Sequence, residues 1–234
     1  MATVTNRGKF KYFEDFTVTA IGDLPEIDIQ SATGVTTAIL ANQHGGLAEI
    51  PMGTSDDDDV GAISTNLNYH VAESDIECEI RMRVETITDP KYFVGFGDTI
   101  ASADETSFSA TTDTVTIDTM SDGVGFLFDN DATTKVIWCV AGTADAVTVG
   151  KALDASYNPA ADEFKTFRVY IAKGGRAIQW SINGKEVHAV YQNEDQSVLV
   201  GATAVLCAGV WNYEQGTAAD IEVDYIMGAA YRQD

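Results

Sequence analysis

Apolar and polar side chains alternate with a period of two along much of this chain, most clearly over residues 164–191, FKTFRVYIAKGGRAIQWSINGKEVHAVY. Phe167, Val169 and Ile171 fall on one face of the first segment, with Arg168 and Tyr170 on the other. Ile178, Trp180 and Ile182 alternate in the same way with Ala177, Gln179 and Ser181. A period of two predicts half-buried strands. The dipeptides Gly174-Gly175 and Asn183-Gly184 tolerate positive φ, as two-residue I′ hairpin turns require, so three antiparallel strands are predicted here. Three strands cannot hide their own apolar face, and a second sheet must cover it.

The same pattern recurs elsewhere. Ile76, Cys78, Ile80, Met82 and Val84 alternate strictly with Glu77, Glu79, Arg81, Arg83 and Glu85, predicting a strand with one wet face. The runs YFVGFG (92–97) and GVGFLF (123–128) predict buried strands. Further strands are predicted at 14–20, 60–71, 135–141 and 147–149, with a buried pair in the apolar run 198–210. A closing strand over 219–232 places Ile221, Val223, Tyr225 and Met227 against Glu222 and Asp224. Residues 98–122 read as a long polar loop with one short helical turn after Ile100. About a dozen short strands and few helices predict an all-β, two-sheet antiparallel sandwich or jelly roll. One domain is expected over 14–234, preceded by an N-terminal arm or edge strand at 1–13.

Charge narrows the function. The chain carries 36 acidic against 14 basic residues, a net charge of −22. Such a surface repels phosphate backbones and anionic membranes, so neither nucleic acid nor membrane is an expected partner. The first residues invert that sign: Arg7, Lys9 and Lys11 interleave with Phe10, Tyr12 and Phe13. They are either an edge strand with solvated lysines or an arm that docks on an acidic partner. Cys78, Cys139 and Cys207 sit in apolar or alternating runs, as small buried hydrophobes do, and no Cys-x-x-Cys occurs. The opening MATVTNRGKFKYFEDF lacks the apolar core of a secretory signal, so synthesis in the reducing cytoplasm is expected.

Candidate chemistry is sparse. Asp56–Asp59 is a run of four carboxylates without the spacing of a calcium loop, and Asp129-Asn130-Asp131 is either a hairpin or a weak metal site. Gly95-Phe96-Gly97 is no dinucleotide fingerprint, because Ile100 stands where the third glycine should be. His44, His70 and His188 lack metal-ligand spacing, and no Gly-x-Ser-x-Gly occurs. Trp138, Trp180, Trp211 and Tyr213 are the aromatics that could stack on a sugar. The core is the expected place for Trp180, and Trp211 and Tyr213 are the candidate sugar contacts. No cofactor and no metal are expected.

Three resemblances add to this. Glu26-Ile27-Asp28-Ile29-Gln30 resembles the active-site strand of laminarinase-type glycoside hydrolases, which need paired carboxylates on one face. Gln30 and Ser31 stand where that pattern carries its second glutamate, so the acid is missing and no enzyme is expected. FKTFRVYIAKGGRAIQWSINGKEV, IEVDYIMGAAYR and DGVGFLFDND resemble late, closing and middle strands of concanavalin A-like lectin/glucanase domains. Residues 45–100 are similar in style to jelly-roll domains of tailed-phage head proteins. This last resemblance implies a non-enzymatic decoration or cement subunit on the outer capsid surface of the virion. Its partner would be the major capsid protein, and the chain would be a homo-oligomer, with a trimer favoured. Arg7, Lys9, Phe10, Lys11 and Tyr12 would then contact the capsid. A carbohydrate-binding, lectin-like module is the alternative.

Overall fold

In the computed structural model, the alternating segments pair into two large antiparallel sheets. The structure describes residues 9–17, 24, 27–31, 38–40, 46–50, 60–66, 68–87, 90–98, 108–111, 113–118, 120–130, 132–144, 146–193, 195–213 and 220–232. Sheet 1 contains β1 (Lys9–Glu14), β3 (Ala38–Ile39), β4 (Ala48–Ile50), β7 (Ser74–Val84), β14 (Lys165–Ile171), β15 (Ala177–Ile182), β16 (Lys185–Tyr191) and β18 (Ile221–Arg232). Their order is β16-β15-β14-β7-β18-β4-β3, with β1 also paired to β18. Sheet 2 contains β2 (Ile27–Ser31), β5 (Val60–Thr65), β6 (Tyr69–His70), β8 (Lys91–Gly97), β11 (Gly123–Asp129), β12 (Ile137–Thr143), β13 (Ala146–Ala152) and β17 (Val205–Tyr213). Its order is β13-β12-β11-β8-β17-β5-β2, with β6 also on β17. A separate hairpin joins β9 (Phe108–Thr111) to β10 (Thr114–Ile117). The helical content of the described residues is one 3-10 turn, Ala155–Tyr157, capped by the Asp154 carboxylate.

The two sheets close face to face, as the half-buried strands require. Ile76, Cys78, Ile80, Met82 and Val84 all point into the shared core, with Phe167, Val169, Ile171, Ile178 and Ile182 beside them. Tyr92, Val94, Phe96, Val124, Phe126 and Phe128 come from sheet 2 to meet them. Trp180 is fully buried, and its Nε1–H donates to the Gly125 carbonyl of the opposite sheet at 2.9 Å. That bond satisfies the one polar atom of a large ring that otherwise contributes only apolar area.

Four local expectations are corrected. The Asn183-Gly184 turn has φ of 50° and 76°, as the I′ type demands, but the first connection is wider. The Ala172 N–H donates to the Ala177 carbonyl, so residues 173–176 form a four-residue loop. In β18 a bulge between Val223 and Tyr225 inserts one residue and reverses the phase. Ile226 thus enters the core while Tyr225 and Met227, expected inside, face outward. The apolar run 198–210 is a loop followed by one strand, not a strand pair. Finally, β1 runs from Lys9 to Glu14, and the strand expected at 14–20 does not form over its described part. Phe16 instead turns into the core with φ of 52°, and the Glu14 carboxylate accepts its N–H at 2.8 Å.

Candidate functional site

The central strands of sheet 2 are buried on both faces, one against sheet 1 and the other beneath the β9–β10 hairpin. Phe93, Leu127, Trp138, Val140, Cys207, Trp211 and Tyr213 form an apolar layer on the side away from sheet 1. Phe108, Ala110 and Val115 of the β9–β10 hairpin, with Met120, pack down on it. The region read as a polar loop therefore contains a third layer, and the helical turn expected after Ile100 lies outside the described residues.

Glycines make the socket for that hairpin. Gly142, Gly123 and Gly97 are cross-strand partners in one row, and Gly125, Gly95 and Gly209 in the next. A Cβ on Gly97 would stand 2.3 Å from Met120 Cε, one on Gly123 2.9 Å from the Phe108 ring, and one on Gly142 2.7 Å from Ile117 Cδ1. Such distances are well inside van der Waals contact, so the bare backbone is what lets these side chains sit down. A buried ion pair fixes the hairpin's position. Lys91 and Asp129 face one another across β8 and β11 with 3.3 Å between Nζ and Oδ2. Asp129 Oδ2 also accepts the Ala110 N–H at 2.8 Å, and Lys91 Nζ donates to Ser109 Oγ at 3.3 Å. The Ser109 hydroxyl donates to Asp118 at 2.5 Å. Asp129 is therefore committed to the fold and is not the metal ligand considered above; Asp131 lies outside the described residues.

The expected sugar contacts are overturned here. Trp211 is fully buried and Tyr213 is 3% exposed, both under or beside the hairpin, so neither offers a ring face to a ligand. Trp138 is in the same layer. The carboxylates considered for hydrolysis fare no better: β2, which bears Asp28, is the edge strand of sheet 2, and Glu26 lies outside the described residues. Met82, Tyr92, Pro159, Glu163, Lys165 and Phe167 line a half-open recess of about 10 Å³, room for one water and no substrate. Among the described residues the Tyr92 hydroxyl has no protein partner, and burial pushes its pKa up.

The thiols are inert for the same reason. Burial raises Cys78 and Cys139, and Cys207 to about 12, so none is a nucleophile near neutral pH. His188 stacks on Trp180 with 5.4 Å between ring centroids, and burial followed by the Lys151 charge lowers its pKa. His70 is exposed on β6, while His44 and Asp56–Asp59 lie outside the described residues.

Of the expected capsid contacts, Arg7 lies outside the described residues, and Lys9 and Phe10 are placed by their backbone in β1. Lys11 is exposed. Tyr12 packs against the inter-sheet core, and its hydroxyl donates to Glu14 at 3.3 Å, so it is not a free contact residue.

One cluster among the described residues could hold a cation. Carboxylate oxygens of Glu49, Glu85 and Asp220 lie within 4.8 Å of one another where β4, β7 and β18 meet. Burial, then the Asp220 charge, raises the pKa of both Glu49 and Glu85. A carboxyl raised in the folded state stabilises most when protonated and loses that contribution as pH rises through its shifted value. Glu49→Gln is therefore expected to raise Tm at pH 7 by roughly one to three degrees, and the gain should vanish below about pH 4. Thermal melts across that range check it; a gain that persists in acid would remove the electrostatic account.

The fold so assembled is the concanavalin A-like jelly roll shared by lectins and glucanases. The chain is similar to basic winged bean lectin in complex with Tn-antigen, at TM-score 0.63 and 8% identity over 97% of this chain and 100% of that one. It is equally similar to an endo-1,3-β-glucanase from Streptomyces sioyaensis, at TM-score 0.63 and 12% identity over 100% of each chain. A protein of unknown function from Shewanella oneidensis MR-1, SO2946, matches at TM-score 0.62 and 15% identity, over 96% of this chain and 87% of that one. These likenesses show the fold alone. No family model and no curated relative matches the sequence.

Proposed function

We propose that the chain is a non-catalytic binding module that recognises glycans through its surface. The observation that carries this reading is the sealed outer face of sheet 2. A cleft across that face would need the space that the chain's own hairpin fills, with glycines shaped to receive it. Recognition without reaction is supported by that cover over the described strands, and winged bean lectin, solved with Tn-antigen, has a similar fold. A glycan array and a reducing-sugar release assay on the same preparation test it. Binding without release is expected; release of reducing sugar overturns the non-catalytic reading, and an array without hits overturns the glycan.

A second reading is favoured by the charge of β1. Lys11 stands exposed on a strand of sheet 1 in a chain of net charge −22, together with Lys9 in sequence. A basic strand on an acidic body would dock on an acidic shell, here the major capsid protein of a tailed-phage head. The chain would then be a trimeric decoration or cement subunit on the outer capsid surface. Co-sedimentation with heads, lost in a Lys9→Glu/Lys11→Glu variant, supports this role; undiminished binding of the variant removes the basic strand from it.

A further inference from the structure

The outward face of sheet 1 carries the aromatics that sheet 2 hides. We propose that this face is the glycan platform and that its ligand is an extended, uncharged polysaccharide, an inference that rests on the glycan reading above. Two of the three exposed large hydrophobic side chains described, Tyr191 at 64% and Phe13 at 53%, belong to it. Tyr170, Tyr225 and Tyr231 are half-buried on the same face. Register places them in a zigzag. Tyr191 on β16 is opposite Ala177, and Tyr231 on β18 is opposite Asp75. Tyr170 on β14 lies between them, opposite both Gln179 and Glu77. Tyr191, Tyr170 and Tyr231 thus stand two strands apart in turn, about 10 Å at ordinary strand spacing. Phe13 and Tyr225 add a tilted pair with ring centroids 5.5 Å apart at the β1 side. A row of aromatic side chains across a sheet suits an extended chain of sugars rather than a single residue in a pocket.

Charge selects the ligand class. Arg168 bonds Glu77 at 2.7 Å, Arg81 closes on Asp224, and Arg83 on Glu222. The Tyr225 hydroxyl donates to Glu79 at 2.8 Å, and Gln179 Nε2 donates to the Tyr191 hydroxyl at 2.7 Å. The three arginines are neutralised by carboxylates of the same face. A polyanion would meet Asp75, Glu77 and Glu79, and a cationic partner would compete with Arg168, Arg81 and Arg83 for the carboxylates they hold. Neutral hydroxyls can add hydrogen bonds to guanidinium and carboxylate edges while leaving every pair intact.

Affinity electrophoresis through gels containing laminarin, galactomannan or, as polyanionic control, alginate tests this, with melting curves for each variant. Retardation by a neutral polysaccharide is expected, weakened about three- to ten-fold in Tyr191→Ala and Tyr231→Ala and retained in Tyr191→Phe. Tyr191 is exposed, so its variants should melt with the parent. A parent that binds no glycan in gels or on the array sinks the glycan reading itself. A parent that binds while both alanine variants bind equally well overturns only this placement. Stronger retardation by alginate overturns the ligand class. Dissociation of a dimer by Tyr191→Ala, seen by sedimentation without change in glycan binding, makes the face an interface between copies and also overturns the inference.

Discussion

Gly95→Ala is expected to abolish folding, although it adds one methyl group. Gly95 has φ of +151°, in the region that L side chains rarely adopt. Its Cβ would stand 2.3 Å from the Val124 carbonyl oxygen and 2.5 Å from the Gly125 Cα. Both atoms are backbone of β11, a central strand held between β8 and β12. No rotamer change can relieve the overlap, and moving β11 would disturb the Trp180 bond to Gly125 and the seat of the hairpin. The cost should exceed about 4 kcal/mol, a large part of the roughly 5–15 kcal/mol that holds a domain together. Gly184→Ala is the control. Gly184 has φ of +76°, but nothing lies within 4 Å of its would-be Cβ. Only backbone strain remains there, about 1–2 kcal/mol. Urea titrations and soluble yield compare the two. Equal losses would mean that crowding by β11 is not what reserves position 95 for glycine.

That glycine shows where sequence reading reached its limit. The alternation from Ile76 to Val84 was legible because the strand has one wet face, so each residue announces its own side. Tyr92–Gly97 and Gly123–Phe128 were legible as buried strands, yet the layer that buries their second face was not. Its evidence is the register of Gly97 against Gly123 and of Gly95 against Gly125, which is a relation between strands and not a local pattern. The hairpin itself left a trace: Phe108 and Ala110, then Val115 and Ile117, keep period two within a Thr/Ser-rich stretch. Read as strands, they would have provided the cover and moved Trp211 and Tyr213 from the surface to the interior. The phase of Tyr225 was lost at a bulge, where one extra residue carries no sequence mark of its own. The segment at Asp129 was open between a hairpin and a metal site, and the antiparallel pairing of β11 with β12 makes it a hairpin connection; what the sequence did not show was the carboxylate's partner. Lys91 is far away along the chain and meets Asp129 only through strand pairing.

Asp129→Ala is expected to loosen the hairpin and to cost about 3–5 kcal/mol, the usual loss when one member of a buried pair is removed. Asp129 is fully buried and Lys91 is 8% exposed, so the ammonium left behind could not recover its hydration. The same substitution strips the acceptor from the Ala110 N–H, leaving a second unpaired group at the contact between β9 and sheet 2. Lys91→Met should also be costly, since it removes the cation that faces a fully buried carboxylate. The double variant Lys91→Met/Asp129→Leu should recover most of the loss, because apolar groups of similar volume need no partner beside Phe93 and Leu127. A urea double-mutant cycle gives the coupling, and hydrogen exchange at Ala110 locates it. Faster exchange confined to 108–117 in Asp129→Ala, with β7 and β14 still protected, is the expected signature. Should the double variant be no more stable than the singles, the pair would have to set strand register rather than hold the cover. Uniform loss of protection across both sheets would mean that the third layer is part of the folding unit and not an addition to a finished sandwich.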